Sequence, residues 1–162
     1  MEIDLVRVRV ASLLRDRKET VAVAESSTGG LISANLLAVP GASAYFAGGT
    51  VIYTRESRKV LLNLPMERLK VTKPLTEDMA MIFAETIRND LKSTWGIAEL
   101  GVAGPGGTPY SKEVGISVIA IAGPDSTSKV IRTGQDDRED NMWEFTRQTF
   151  LLFEKILSPS AK

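Results

Sequence analysis

Three hydroxyl side chains stand in a row at Ser26, Ser27 and Thr28, inside the segment Ala24-Glu25-Ser26-Ser27-Thr28-Gly29-Gly30. A β-rich run precedes them and a helical pattern follows. A turn of that kind presents backbone N–H groups at the positive end of a helix dipole, which suits a phosphate, a carboxylate or an oxyanion. A hydroxyl beside such donors can be a nucleophile whose attack product is stabilised in place. Equally, one of the three can simply cap the helix, a role worth about 1 kcal/mol. The spacing is not GxGxxG, and no lysine follows the glycines as a Walker loop demands.

Two further segments could carry chemistry. Gly104-Pro105-Gly106-Gly107-Thr108-Pro109 is too rich in glycine and proline for helix or strand. It would let a ligand approach the backbone closely, or serve as a surface turn. Tyr53 is followed by Arg55, Arg58 and Lys59. A phenol with cations one turn away can supply a more acidic hydroxyl or a positive charge near a reacting amide, although surface cations are commonly just solvated. Asp136, Asp137, Glu139 and Asp140 resemble metal ligands at first sight but read better as the acidic first turn of the last helix, with Arg138 among them.

The residue inventory narrows the chemistry. The 162-residue chain contains no cysteine and no histidine, so a thiolate nucleophile, a Ser-His-Asp triad and a histidine metal ligand are all excluded. A proton must move through lysine, tyrosine, a carboxylate or water. Twenty basic residues balance twenty acidic ones, which removes the main electrostatic reason to expect nucleic acid or an anionic membrane as partner. Asp4, Arg7 and Arg9 interrupt the N-terminus as a signal sequence would not allow, and no apolar run reaches membrane-spanning length. A soluble, cytoplasmic protein is expected.

The elements that must position these segments are readable. Residues 2–17 carry Ile3, Val6, Val10, Leu13 and Leu14 at helical spacing. Thr20 to Ala24 reads as a buried strand, and Leu31, Ala34, Leu37 and Ala38 as a helix stopped by Pro40-Gly41. A second strand is expected at Thr50 to Tyr53, with a short helix near 55–63. Thr76 is the expected N-cap of a longer helix with Met79, Ile82, Phe83, Ile87 and Leu91 on one face. Residues 97–103 read as a strand. Val114 to Ala122 and Lys129 to Thr133 read as an antiparallel pair around Gly123-Pro124-Asp125. Asp137 to Leu157 closes the chain as an amphipathic helix with Met142, Phe145, Leu152, Phe153 and Ile156 inward. Alternating strands and helices predict an α/β fold, a single-domain three-layer α/β/α sandwich with a mixed sheet over residues 1–162 and a core at about 20–157. Ligands in such folds sit where strands end and loops turn into helices.

AESSTGG at 24–30, VPGASAYFAGGTVIY at 39–53 and GVAGPGGTP at 101–109 together resemble the C-terminal domain of the competence/damage-inducible protein CinA. Stand-alone members of that family include nicotinamide mononucleotide deamidases. VGISVIAIA at 114–122 and an arginine after Gly134 also fall in order, so the resemblance runs from about Val21 to about Leu152. It implies a single α/β domain and an amidohydrolase that converts a nucleotide carboxamide to the acid and releases ammonia, with neither metal nor organic cofactor. The implied catalytic residues are Ser26 as nucleophile, Tyr53, and a cation at Arg58. Thr28, Gly29, Gly30, Gly104 and Pro105 are the implied substrate-binding positions, with backbone N–H groups near Thr28 to Gly30 holding oxyanion or phosphate and Arg138 pairing with the phosphate. The implied partner is a small-molecule nucleotide, and a protein of this size and class can self-associate.

Two positions depart from the family pattern. Arg58 stands where a lysine is usual, with Lys59 beside it, and Leu100 replaces a threonine. Ser27 replaces a common cysteine, and the segment at 134–138 is one residue longer. Arginine keeps its proton at physiological pH, so Arg58 can polarise but cannot act as a base. Lys59 is one helical step away, roughly 100° around the axis. The departures leave two expectations: an active nucleotide amidase, and a catalytically silent nucleotide-binding or regulatory module on the same fold.

Overall fold

Every residue of the strand Val21–Glu25 (β1) is buried, as a short run without polar alternation requires of a strand covered on both faces. The computed structural model describes residues 2–109 and 111–159. β1 pairs in parallel with Phe46–Val51 (β2) on one side and with Trp95–Val102 (β3) on the other. Ile116–Ala122 (β4) is antiparallel to β3, and Thr127–Arg132 (β5) is antiparallel to β4. The mixed sheet therefore runs β2-β1-β3-β4-β5.

Strand alternation divides the core into two layers. Val21 and Val23 of β1, with Trp95 and Ile97 of β3, face the helices Glu2–Arg17 (α1), Leu31–Leu37 (α2) and Arg138–Leu157 (α6). There Val6, Val10 and Leu14 meet Phe150 and Phe153, and the Trp95 and Phe153 rings pack edge to face at 5.9 Å. Ala22, Ala24, Ala98 and Ala120 project to the other side, against Glu77–Leu91 (α5). Arg55–Leu61 (α3) and Met66–Lys70 (α4) flank α5 at the same side, where Leu62, Leu64 and Leu69 join its core. Three layers, α/β/α, follow as expected. Among the described residues no helix is long and apolar enough to cross a membrane.

Local chemistry accounts for the element ends near the site. Thr76 caps α5 by accepting from Met79 N–H, as its sequence position predicts. Thr54 and Ser57 close a reciprocal capping box that starts α3 directly after β2. Asp137 caps α6 by accepting from Asp140 N–H at 2.9 Å, so the acidic run serves the helix start. The second strand lies at Phe46–Val51 rather than at Thr50 to Tyr53. Gly48 and Gly49 weaken its strand signal, and the difference places Tyr53 beyond the strand, at its exit. The 3-10 turn Ala42–Ala44 and α4 are too short for periodicity to reveal. In α6, Thr146, Thr149, Phe150 and Leu157 are buried together with Phe145 and Phe153, while Met142, Leu152 and Ile156 are half-buried.

The alanines and one glycine set how closely α5 approaches the sheet. A Cβ at Gly96 would stand 2.1 Å from Ala84 O and 2.7 Å from Arg88 Cβ. Helix backbone lies directly over β3 at that point, so Gly96→Ala must push α5 away from the strand. The expected loss is about 1–3 kcal/mol, read as a lower urea midpoint at unchanged slope. An unchanged midpoint would contradict this packing.

Candidate active site

β1 and β3 run in the same register, and Glu25 is paired with Glu99. Both side chains are fully buried and lie two residues on from Val23 and Ile97, hence on the face covered by α2 and α6. Glu25 Oε1 accepts from Thr28 Oγ1 at 2.7 Å, Gly30 N at 2.9 Å and Ile32 N at 3.0 Å. Its Oε2 accepts from Ser33 N at 3.0 Å and Ser33 Oγ at 2.8 Å. This carboxylate caps α2, whose own N-cap, Gly30, contributes no side chain. The acidic residue at the end of the strand takes the place both of a hydroxyl cap and of an external anion at the helix start.

Glu99 is gathered into the same turn. Its Oε2 accepts from Ser26 N at 3.1 Å, Thr28 N at 3.0 Å and Thr28 Oγ1 at 3.0 Å. Its Oε1 accepts from Ser117 Oγ at 3.0 Å and from Ser27 Oγ in a short contact. Gly101 makes room for that contact, since a Cβ there would meet Ser27 Oγ at 2.4 Å and Glu99 Oε1 at 2.8 Å. Burial pushes the Glu99 carboxyl above the ordinary range; bonds from Ser27 and Thr28 pull it down, and the neighbouring Glu25 raises it again. The hydrogen-bond count points the same way. A hydroxyl has a single proton to donate, yet Thr28 Oγ1 lies within bonding distance of both carboxyls. Both contacts are satisfied when one carboxyl brings its own proton.

These bonds correct the expectation for the turn. The N–H groups of Thr28 and Gly30 are committed to Glu99 and Glu25, and that of Gly29 to Ser26 O at 3.1 Å. Thr28, Gly29 and Gly30 therefore do not present an oxyanion or phosphate cradle. They fix the turn that displays Ser26 and Ser27. The Ser27 N–H has no acceptor among the described residues.

Ser26 and Ser27 open into a cleft of about 340 Å³, also lined by Tyr53, Arg58, Leu100 and Arg138. Arg138, the first residue of α6, donates to Gly104 O at 2.6 Å and to Tyr53 Oη at 3.2 Å. The arginine expected to pair with a phosphate is thus also engaged with the phenol. Asn141, one turn along, donates to Ala103 O at 2.8 Å and Gln135 O at 3.1 Å. Arg138 and Asn141 together tie the glycine-rich loop to α6. Neither Gly104 nor Pro105 lines the cleft; Gly106 to Pro109 do, because the Gly104 carbonyl turns to Arg138. Arg58 donates Nε–H to Ile52 O at 3.2 Å and lies over the Phe83 ring at 5.2 Å. Lys59 is absent from the lining and sits 3.8 Å from Glu56 on the exposed side of α3. Leu75, on the cleft wall, has φ 55°, a left-handed conformation that costs a non-glycine residue about 1–2 kcal/mol.

Glu99, Ser117 and Asn141 are the site residues that motif reading passes over. Glu99 had a signal: it is the one charged residue in the otherwise apolar strand WGIAELGV, and a buried charge needs a purpose. Ser117 and Asn141 gave none, since their roles come from register and from the meeting of a loop with a helix.

The chain matches the family model described as CinA C-terminal domain over residues 4–157. It is 42% identical over 129 residues to a CinA-like protein of Synechococcus sp. (strain RCC307), covering 80% of this chain and 31% of that protein. It is 41% identical over 142 residues to a CinA-like protein of Gloeobacter violaceus, covering 87% of this chain and 33% of that one. The chain thus spans about a third of the length of the curated relatives it matches. Among solved structures, a CinA superfamily protein from Klebsiella pneumoniae superposes with a TM-score of 0.87 at 24% identity, covering 96% of this chain and 97% of that one. A competence/damage-inducible protein from Agrobacterium tumefaciens gives 0.88 at 24% identity, covering 98% and 97%. At that identity the likeness is one of fold.

The raised Glu99 carboxyl has a measurable consequence. The folded chain binds this proton more tightly than the unfolded chain, so the associated stability is fully present below the ordinary carboxylate range and is lost as pH rises through the folded pKa. Glu99→Gln imitates the neutral acid, with its oxygen toward the Ser26 and Thr28 N–H groups. Its stability relative to the parent is expected to improve as pH rises above the ordinary carboxylate range, in urea titrations of both proteins. A difference independent of pH would refute the assignment.

Proposed function

The chain belongs to the CinA C-terminal domain family, and on that premise we propose that it is a metal-independent amidohydrolase acting on nicotinamide mononucleotide, releasing nicotinic acid mononucleotide and ammonia. One observation carries the reading: four separate pieces of chain bring Ser26, Tyr53, Arg58 and Arg138 to the wall of a single cleft. They come from the turn after β1, the exit of β2, the helix α3 and the start of α6. No imidazole is needed.

The steps balance on these residues. Ser26 Oγ attacks the carboxamide carbon. Its proton passes to Tyr53 Oη as the phenol gives its own proton to the departing nitrogen, which leaves as ammonia. Water then hydrolyses the ester by the same exchange and restores Ser26. Arg138, donating to the phenol oxygen, stabilises negative charge that builds there during the transfer. Its guanidinium carries more donors than its two bonds to protein use, which leaves capacity for the substrate phosphate. Arg58 supplies a fixed positive charge and takes no proton. The Ser27 N–H, without an acceptor among the described residues, serves as a backbone donor for the oxyanion.

One observation favours the second reading, a silent nucleotide binder: among the described residues no lysine lines the cleft, and Lys59 faces Glu56 instead. Ammonia release separates the two. With nicotinamide mononucleotide, the parent protein is expected to release ammonia, Ser26→Ala to give none above background, and Tyr53→Phe to lose roughly 10²–10⁴-fold in kcat with little change in KM. A parent protein no faster than Ser26→Ala would leave only the binding reading. The acid product should then still bind in calorimetry.

A further inference from the structure

A second cavity, of about 380 Å³, adjoins the cleft between α3, α4 and α5. Its floor is apolar, formed by Leu64, Leu69, Met79 and Phe83. Its rim carries Arg55, Arg58, Lys59 and Lys70, and among the described residues no carboxylate lines it. For a chain with no net charge this is a marked local excess. Lys59 and Lys70 meet Glu56 and Glu67 at 3.8 and 3.1 Å within exposed helix pairs. Such pairs contribute little and yield readily to a better anion.

The two cavities share a wall. Arg58 and Pro74 line both, and the guanidinium of Arg58 rests on Phe83, which belongs to the floor of the second. A molecule whose first phosphate pairs with Arg138 in the cleft and whose second reaches toward Arg58 would put one end in each. We propose that this cavity is a second subsite for a phosphate-bearing aromatic base, so that cleft and cavity together accept a dinucleotide joined through phosphates. The apolar floor suits the flat face of a base, and the cationic rim suits the phosphates. Each cavity alone lies near the lower end of the ~300–1,000 Å³ found for ligand pockets, and a dinucleotide uses both. The identity of the group in the cleft rests on the amidase reading; the chemistry of the second cavity does not.

Calorimetry on the whole chain tests this with three probes: adenosine diphosphate, nicotinamide mononucleotide and nicotinamide adenine dinucleotide. Two variants alter only the second cavity, the charge reversal Lys59→Glu/Lys70→Glu and the filling substitution Met66→Trp, with circular dichroism confirming that each folds. Adenosine diphosphate is expected to bind the parent and to bind both variants at least about tenfold more weakly. The dinucleotide should bind the parent more tightly than the mononucleotide and lose that advantage in both variants, while mononucleotide binding and ammonia release stay unchanged. Absence of adenosine diphosphate binding, or binding indifferent to both variants, overturns the subsite. Ammonia release absent from every substrate, with the diphosphate behaving as stated, sinks the amidase reading and leaves the subsite standing.

Discussion

Two carboxyl groups buried side by side on neighbouring parallel strands organise this molecule. Glu25 and Glu99 meet because β1 and β3 are in register, and neither reaches solvent. Buried carboxyls are tolerated only when hydrogen bonds replace the lost water. Here most of the replacement comes from one turn, residues 26–33, whose N–H and hydroxyl groups converge on the pair, and Ser117 of β4 adds one further donor to Glu99. The turn is therefore held from beneath by acceptors in the sheet. Thr28, bonded to both carboxyls, couples them into one unit.

What that arrangement leaves at the cleft wall is as important as what it holds. With Glu25 and Glu99 taking the donors below, Ser26 and Ser27 remain at the cleft. The opposite wall has its own lock, in which Arg138 and Asn141 fasten residues 103–104 to the start of α6 and Arg138 also reaches Tyr53. Both walls are thus fixed by polar contacts to regular elements, as a preorganised site requires. The third wall differs. α3 and α4 are short, and Val60 within α3 and Val71 at the end of α4 are largely exposed, so the region carrying Arg58 has less packing behind it than the serine turn.

Much of the scaffold was legible because its signals are local. The period of α1, the Thr76 cap of α5, and the turn between β4 and β5 each depend on a few adjacent residues, and each stands where periodicity puts it. The serine turn, Tyr53 and the glycine-rich loop could also be singled out as bearing chemistry. Their internal roles could not. Glycines 29 and 30 in front of a helix look like an anion cradle until Glu99 on the neighbouring strand, Glu25 at the strand end and the Ser26 carbonyl are seen to have taken the donors of residues 28–30. Local pattern does not mark Gly48 and Gly49 as strand, because paired glycines carry no strand preference, while the parallel ladder with β1 holds them extended.

From sequence alone come the inventory and the order of parts: no histidine or cysteine, a serine turn between strand and helix, a tyrosine and cations after the next strand, and an arginine opening the last helix. These follow from residue types and short-range spacing, which the chain carries along its length. Tertiary structure decided which of them meet. Glu99 became the partner of Glu25 through strand register, Arg138 reached Tyr53 across a separation of 85 positions, and Arg58 rather than Lys59 faced the cleft through the rotation of α3. Contacts of that kind depend on how separate elements pack, and no local pattern in the chain encodes the distance between them.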